Sequence, residues 1–273
     1  MSKITVKHYL NTRLKPEIDD KVKIYPLYLS ITYDRMNIRT PSEIYNGIAT
    51  TIKEGDIEKN KIEKQISFKL KYEKDLIERC VIEFEKDEKA KRIKKDYYLL
   101  YPLKKYRSKN ERLNILNSYV DFYTHSIYDV VSNFLYNEIK TEILKHLNNG
   151  IKEFDLLDNN KMEILLFPNN PNLYKLIIKY NLGFKYELYF ILWSRLHSFL
   201  AEQGVTTGYD MPYLDWIQGK GQIVLKKFVK TYKREVTDCW DLDFFTNEKI
   251  EECIKIIEKI INNENYFIEL LEN

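Results

Sequence analysis

A chain of 273 residues, 44% hydrophobic and 31% charged, is long enough for one large or two modest domains and needs no metal or disulfide staple to hold a core. Its formal charge of +3 hides a polarity, +9 over residues 1–110 against −6 over residues 111–273. That pattern excludes a protein coated in positive charge, as a dedicated duplex binder usually is, and suits a basic face toward nucleic acid or head-to-tail contact between copies.

Eight glycines and seven prolines leave little room for long flexible linkers. Cys80, Cys239 and Cys253 are scattered, an odd set without paired spacing, and read as small buried reduced thiols. The most apolar run, Leu188 to Trp193, falls far short of the roughly 20 residues of a membrane span. The first ten residues lack the apolar core of a signal peptide, so a cytoplasmic location without secretion or a membrane span is expected. Abundant Lys, Ile, Asn and Tyr, with 22 Tyr, point to an AT-rich genome such as many phages and mobile elements have.

In chain order, residues 3–10 alternate Ile4, Val6, His8 and Leu10 with polar neighbours, and residues 24–34 alternate Tyr25, Leu27, Leu29 and Ile31. A polar turn at 34–37 leads to a short strand at 37–40 before Pro41. Period-two alternation in three successive segments predicts a three-stranded antiparallel meander, with Pro26 at an edge or a strand start. From Asp56 the period changes. Ile62, Ile66, Leu70, Ile77, Cys80, Val81 and Phe84 predict an amphipathic helix over about 56–90. The charged run at 85–95 reads as its solvated end.

A second long helix is predicted over about 111–147, ended by Asn148-Asn149-Gly150. An Asn-rich loop with Pro168 and Pro171 follows, then helices over about 173–180 and 184–202, the latter stopping at Gly204. A Gly-rich break over 204–221 separates these from helices at about 222–234 and 247–270, with Thr246 as the N-cap of the last. The fold class expected is therefore α+β: a small N-terminal β meander (residues 1–50) followed by a mainly helical body (51–273), with a possible subdivision near 150–172.

Little here assembles reaction chemistry. His8, His125, His146 and His197 have neither metal-ligand spacing nor a cysteine pair, so no metal or other cofactor is expected. Gly219-Lys220-Gly221 is too short for a phosphate-cradling loop. Asp241 and Asp243 are spaced to share one face of a strand, but a polar loop before the last helix explains them better. Trp193 sits in an apolar helical run and is assigned to the core. In the Gly-rich break, Tyr213, Asp215 and Trp216 are candidate partner-binding residues, an aromatic anchor with a polar neighbour, set against simple local packing.

Residues 4–16 (ITVKHYLNTRLKP), 24–35 (IYPLYLSITYDR) and 38–42 (IRTPS) resemble the arm-type DNA-binding module that opens tyrosine recombinases of Bacteroidetes mobile elements. The match spans about 40 of the 273 residues. It implies a three-stranded sheet that binds DNA, with Lys7, Arg13, Lys15, Lys21, Lys23, Arg35 and Arg39 as the candidate nucleic-acid contacts. It also implies a catalytic domain downstream, with clamping arginines, a His-x-x-Arg pair and a tyrosine nucleophile. No histidine here is followed by arginine three positions on, and Arg234 is the one arginine after Gly204. The expected protein is accordingly not an enzyme. The whole chain loosely resembles head–tail ring or connector proteins of crAss-like Bacteroides phages. That resemblance implies a structural virion protein, a homo-oligomeric ring meeting other virion proteins, and the front-to-back charge polarity suits such contacts. The alternative is a DNA-binding accessory protein that keeps the arm-type module without a recombinase domain.

Overall fold

The computed structural model describes residues 3–19, 22–44, 64–92, 111–148, 175, 177–179, 181–231 and 247–262. The chain is α+β, with an antiparallel sheet at its N-terminus and a mostly helical remainder. It divides into two compact units, the first taking Met1–Ser126 and Glu202–Asp215, the second Ile127–Ala201 and Trp216–Leu271. The sheet has an apolar inner face that helices of the same unit must cover.

Unit 1 begins with β1 (Thr5–Leu10), β4 (Leu27–Tyr33) and β5 (Met36–Pro41), hydrogen-bonded in the order β1-β4-β5. The register sets Val6 opposite Ile31, and Ile31 opposite Ile38, so the alternating apolar residues of all three strands share one face. Val6, Leu27, Leu29, Ile31, Tyr33, Met36 and Ile38 are all buried. Between β4 and β5 only Asp34 and Arg35 turn the chain, at φ 43° and 64°. Met36, expected in the turn, is already strand, as is Asn37, where the expected turn and strand met. Two left-handed residues give the twist that a two-residue hairpin needs, and such turns usually employ Asn or Gly there.

A second hairpin, β2 (Glu17–Asp19) and β3 (Val22–Ile24), was not anticipated. Three residues per strand are too few for alternation to register. It grows out of the β1–β4 ladder, which continues through the Asn11 N–H donating to the Pro26 carbonyl at 2.8 Å. Ile18 lies directly opposite Lys23 on its outer side and is 74% exposed.

The inner face of the sheet is covered by α1 (Lys64–Lys89), the helix predicted from residue 56 on; residues 56–63 lie outside the described residues. Its buried stripe runs Ile66, Leu70, Glu73, Leu76, Ile77, Cys80, Val81, Phe84 and Glu85. Phe84 meets Tyr33 edge-on at 6.4 Å and Tyr119 of α2 (Glu111–Thr124) at 5.3 Å, so β4, α1 and α2 share one aromatic column.

The single helix expected over 111–147 is two, α2 and α3 (Ile127–Asn148). His125 and Ser126 leave helical geometry to pair with a distant strand-like segment. Ser126 bridges Pro212, and the His125 carbonyl accepts the Tyr213 N–H at 2.9 Å. No glycine or proline marks that break, so only the tertiary partner reveals it.

Gly204 does not stop a helix. The element α4 (Phe184–Thr207) runs through it and ends at Gly208, whose φ is +80°. A Cβ on Gly204 would run into the Asp210 carboxylate, and one on Gly208 would meet Ile44 at 2.9 Å. Both glycines thus serve close approach, and Gly208 alone also serves the reversal. The remaining helices are α5 (Tyr213–Ile217), α6 (Lys220–Thr231) and α7 (Asn247–Ile261), while Thr246 lies outside the described residues. Cys80 and Cys253 are buried, as expected of them. Among the described residues no helix is long and apolar enough to cross a membrane.

Candidate nucleic-acid interface

Because side chains alternate along a strand, burying one face of β1-β4-β5 fixes what the other presents. The outward positions form three cross-strand rows. Lys7, Ser30 and Arg39 make one, Thr5, Thr32 and Asn37 the next, and Tyr9, Tyr28 and Pro41 the third. None of these nine residues is acidic. Lys7, Thr32, Asn37 and Arg39 are exposed. At the spacing of paired strands, Lys7 and Arg39 stand about 10 Å apart across the sheet. Asn37 donates from Nδ2 to Thr32 Oγ1 at 2.9 Å and Ser30 Oγ at 3.2 Å, which fixes its amide on the surface. Tyr9 and Tyr28 lie side by side with ring centroids 6.1 Å apart.

More cations flank this face. Arg35 sits at the tip of the β4–β5 hairpin, beside the Thr5 end of β1, whereas Arg13, Lys15 and Lys23 cluster at the Leu10 end. All four are exposed. Lys21 lies outside the described residues. Among the described residues, none of Lys7, Arg13, Lys15, Lys23, Arg35 and Arg39 is ion-paired. The arginines on the helices of the same unit, and Arg92 just after the first of them, are. Arg79 pairs with Asp75 at 3.0 Å and with Asp215 at 2.6 Å, and Arg92 with Asp87 at 2.7 Å. Arg112 takes Asp34 at 2.6 Å and both oxygens of Glu88 at 2.7 Å.

Behind the face, a buried carboxylate fixes its two edges. Glu73 of α1 is 0% exposed. Its Oε2 accepts the His8 Nε2–H and the Ser42 hydroxyl, each at 2.6 Å. Its Oε1 accepts the Glu43 N–H at 3.0 Å and the Tyr209 hydroxyl at 2.7 Å. His8 belongs to β1 and Ser42 directly follows β5, so one side chain ties both edge strands to α1. Burial and the Glu73 charge hold the Tyr209 phenol well above its usual range, so it stays protonated and donates. Four donors fill the roughly four lone-pair positions of a carboxylate, which leaves none for a substrate. Burial without loss of hydrogen bonds is what makes such a charge tolerable. The group holds the sheet in place.

A second carboxylate, Asp215, accepts from the Tyr72 hydroxyl at 2.7 Å and from Arg79. It was a candidate partner-binding residue, together with Tyr213 and Trp216. The structure engages all three internally. Trp216 is 2% exposed, and the Tyr213 ring packs edge-on against Phe122 at 5.1 Å. Local packing, the plainer of the two alternatives, describes them, and the exposed aromatic anchor is corrected. Asp241, Asp243 and Trp240 lie outside the described residues, as do the side chains of Trp193 and His197. Among the described residues no group of His, Cys, Asp and Glu is placed to hold a metal.

Nothing in the strand pattern announced the Glu73 centre, yet a signal existed. The apolar stripe read along α1 skips from Leu70 to Ile77, and Glu73 occupies the position between them where the period demands a buried residue. No protein-family model matches the chain, and no curated protein or solved structure matches it either.

Two stability measurements probe this scaffold. Replacing Glu73 by Gln turns one filled acceptor into an amide facing a donor. Glu73→Gln should destabilise the protein by about 1.5–3 kcal/mol in urea unfolding. Asp121 of α2 responds to pH, because burial, aided by the Glu43 charge, pushes its carboxyl from 3.8 up to about 7. Between those values the folded chain holds a proton that the unfolded chain has lost, so this residue's contribution falls as pH rises and is fully unfavourable above the folded value. Asp121→Asn should therefore raise the urea midpoint above that of the parent at pH 8, with the gap closing toward pH 4.

Proposed function

We propose that this chain is a duplex-DNA-binding protein whose three-stranded sheet enters the major groove with its outward face, without a catalytic step of its own. The observation that carries this reading is the state of the charges. A strand face free of carboxylates presents Lys7 and Arg39 in one row, unpaired among the described residues, while the arginines of the neighbouring helices are neutralised by acids. Unpaired cations displace the counterions condensed on DNA, which is the main source of affinity for a duplex. A major groove about 12 Å wide accommodates paired strands, and side chains such as Arg and Asn reach guanine and adenine edges there. The arm-type resemblance of residues 4–42 supports the same role. The modest net charge fits a basic patch better than a wholly basic molecule.

Fluorescence anisotropy on a labelled duplex tests it. Binding should weaken steeply with salt, and Lys7→Ala, Arg13→Ala, Arg35→Ala and Arg39→Ala should each lower the slope of log K against log salt by about 1. Lys74→Ala on α1, whose lysine is paired with Glu78, should leave it unchanged. Absence of binding at low salt, or indifference to the four strand substitutions together, overturns the reading.

A second proposal keeps the structural role in a virion, as a ring built by self-association. It is supported by Ile223 and Val224 on α6, which are 69% and 42% exposed, beside the charge difference between the two parts of the sequence. Multi-angle light scattering at micromolar concentration should then give a closed oligomer that Ile223→Asp dissolves, and a monomer at every concentration removes this proposal.

A further inference from the structure

Unit 2 contains a cleft of about 550 Å³ between α3, α4 and α7. Its volume lies in the range typical of small-molecule sites, roughly 300–1,000 Å³. The lining is divided by chemistry. Phe134, Leu188, Tyr189, Ile256 and Ile260 provide apolar surface. Three of these, Leu188, Tyr189 and Ile260, are themselves buried. Lys185, Lys255 and Lys259 stand against Glu138 and Glu252, so the charged lining has an excess of one positive charge.

The positions of those charges distinguish one lysine from the others. Lys185 is held by Glu138 at 3.1 Å and lies over the Tyr189 ring at 5.1 Å from its centroid. Lys255 has Glu252 at 3.8 Å, at the limit of an ion pair. Lys259 has no carboxylate partner among the described residues, and it follows Lys255 by one helical turn. Like charges at that spacing repel on a helix surface, and a bound anion relieves them. Hydrophobic lining with a few convergent charges of one sign fits a ligand that has an apolar body and one anionic group.

We propose that this cleft binds a small amphipathic anion, its apolar body against Phe134, Leu188 and Ile256 and its single carboxylate or phosphate head at Lys259 and Lys255. The charge complementarity favours an anionic head, and the bounded volume favours a small molecule over a macromolecular segment.

The test uses the full chain without DNA and a matched pair of fluorescent probes, 1-anilinonaphthalene-8-sulfonate and its uncharged counterpart N-phenyl-1-naphthylamine. The sulfonate should bind saturably at one site and at least tenfold more tightly than the neutral probe. Lys255→Glu with Lys259→Glu should abolish that preference, and Ile256→Trp, which fills the cleft, should weaken both probes at least tenfold. Lys255 has a side chain 70% exposed, so the charge reversal can be made without disturbing the core, and unchanged thermal unfolding and near-ultraviolet dichroism confirm that the variants are folded. Competition then separates the two head groups, since displacement by decanoate identifies a carboxylate ligand and displacement by decyl phosphate a phosphate one. Non-saturating fluorescence, equal affinity for the two probes, indifference to the charge reversal, or displacement by neither alkyl anion overturns the proposal.

Discussion

The Glu73 carboxylate is fully buried, and what makes this tolerable is the arrival of four donors from three separate parts of the chain. His8 comes from the first strand, Ser42 and the Glu43 N–H from the end of the last, and Tyr209 from a segment 136 residues after Glu73 itself. Unless the sheet, α1 and the 209 segment come together, the charge is stranded in an apolar core at a cost of several kcal/mol. Apolar packing alone would permit the sheet to slide along α1. A carboxylate that needs all four donors permits one register. The same constraint gives the outward face its rigidity, since both edge strands are tied from behind while the cations in front are unpaired among the described residues.

How far this was legible from the residues depends on whether a feature has a period. The alternation in β1, β4 and β5 and the stripe along α1 come from repeated burial, so the strands, the first helix and the α+β class could be read directly. The sheet's inward residues follow at once, and the outward Lys7 and Arg39 with them. Features that rest on one long-range partner could not be read in this way. The break at His125 and Ser126 exists because Pro212 and Tyr213 offer strand-like hydrogen bonds, and nothing within 111–147 announces it. Gly204 looked like a helix stop because glycine often ends helices, whereas here it makes room for Asp210. Trp216 could be imagined as an exposed anchor only while its surroundings were unknown.

The two arrangements of charge in unit 1 have different physical consequences. On and beside α1 and α2, Arg79, Arg92 and Arg112 lie close enough to acids to be satisfied by them, so their field falls off quickly and their main effect is local order. On the strands the charge is uncompensated among the described residues and its field extends into solvent to about a Debye length, roughly 8–10 Å at moderate salt. A polyanion approaching from that side meets attraction before contact, which speeds encounter as well as strengthening it.

Arg35 holds a left-handed backbone conformation at the hairpin tip, where glycine or asparagine would sit more comfortably. The tip thus gives up backbone ease and carries a solvent-exposed guanidinium instead, which sets the charge of the hairpin at its strained turn.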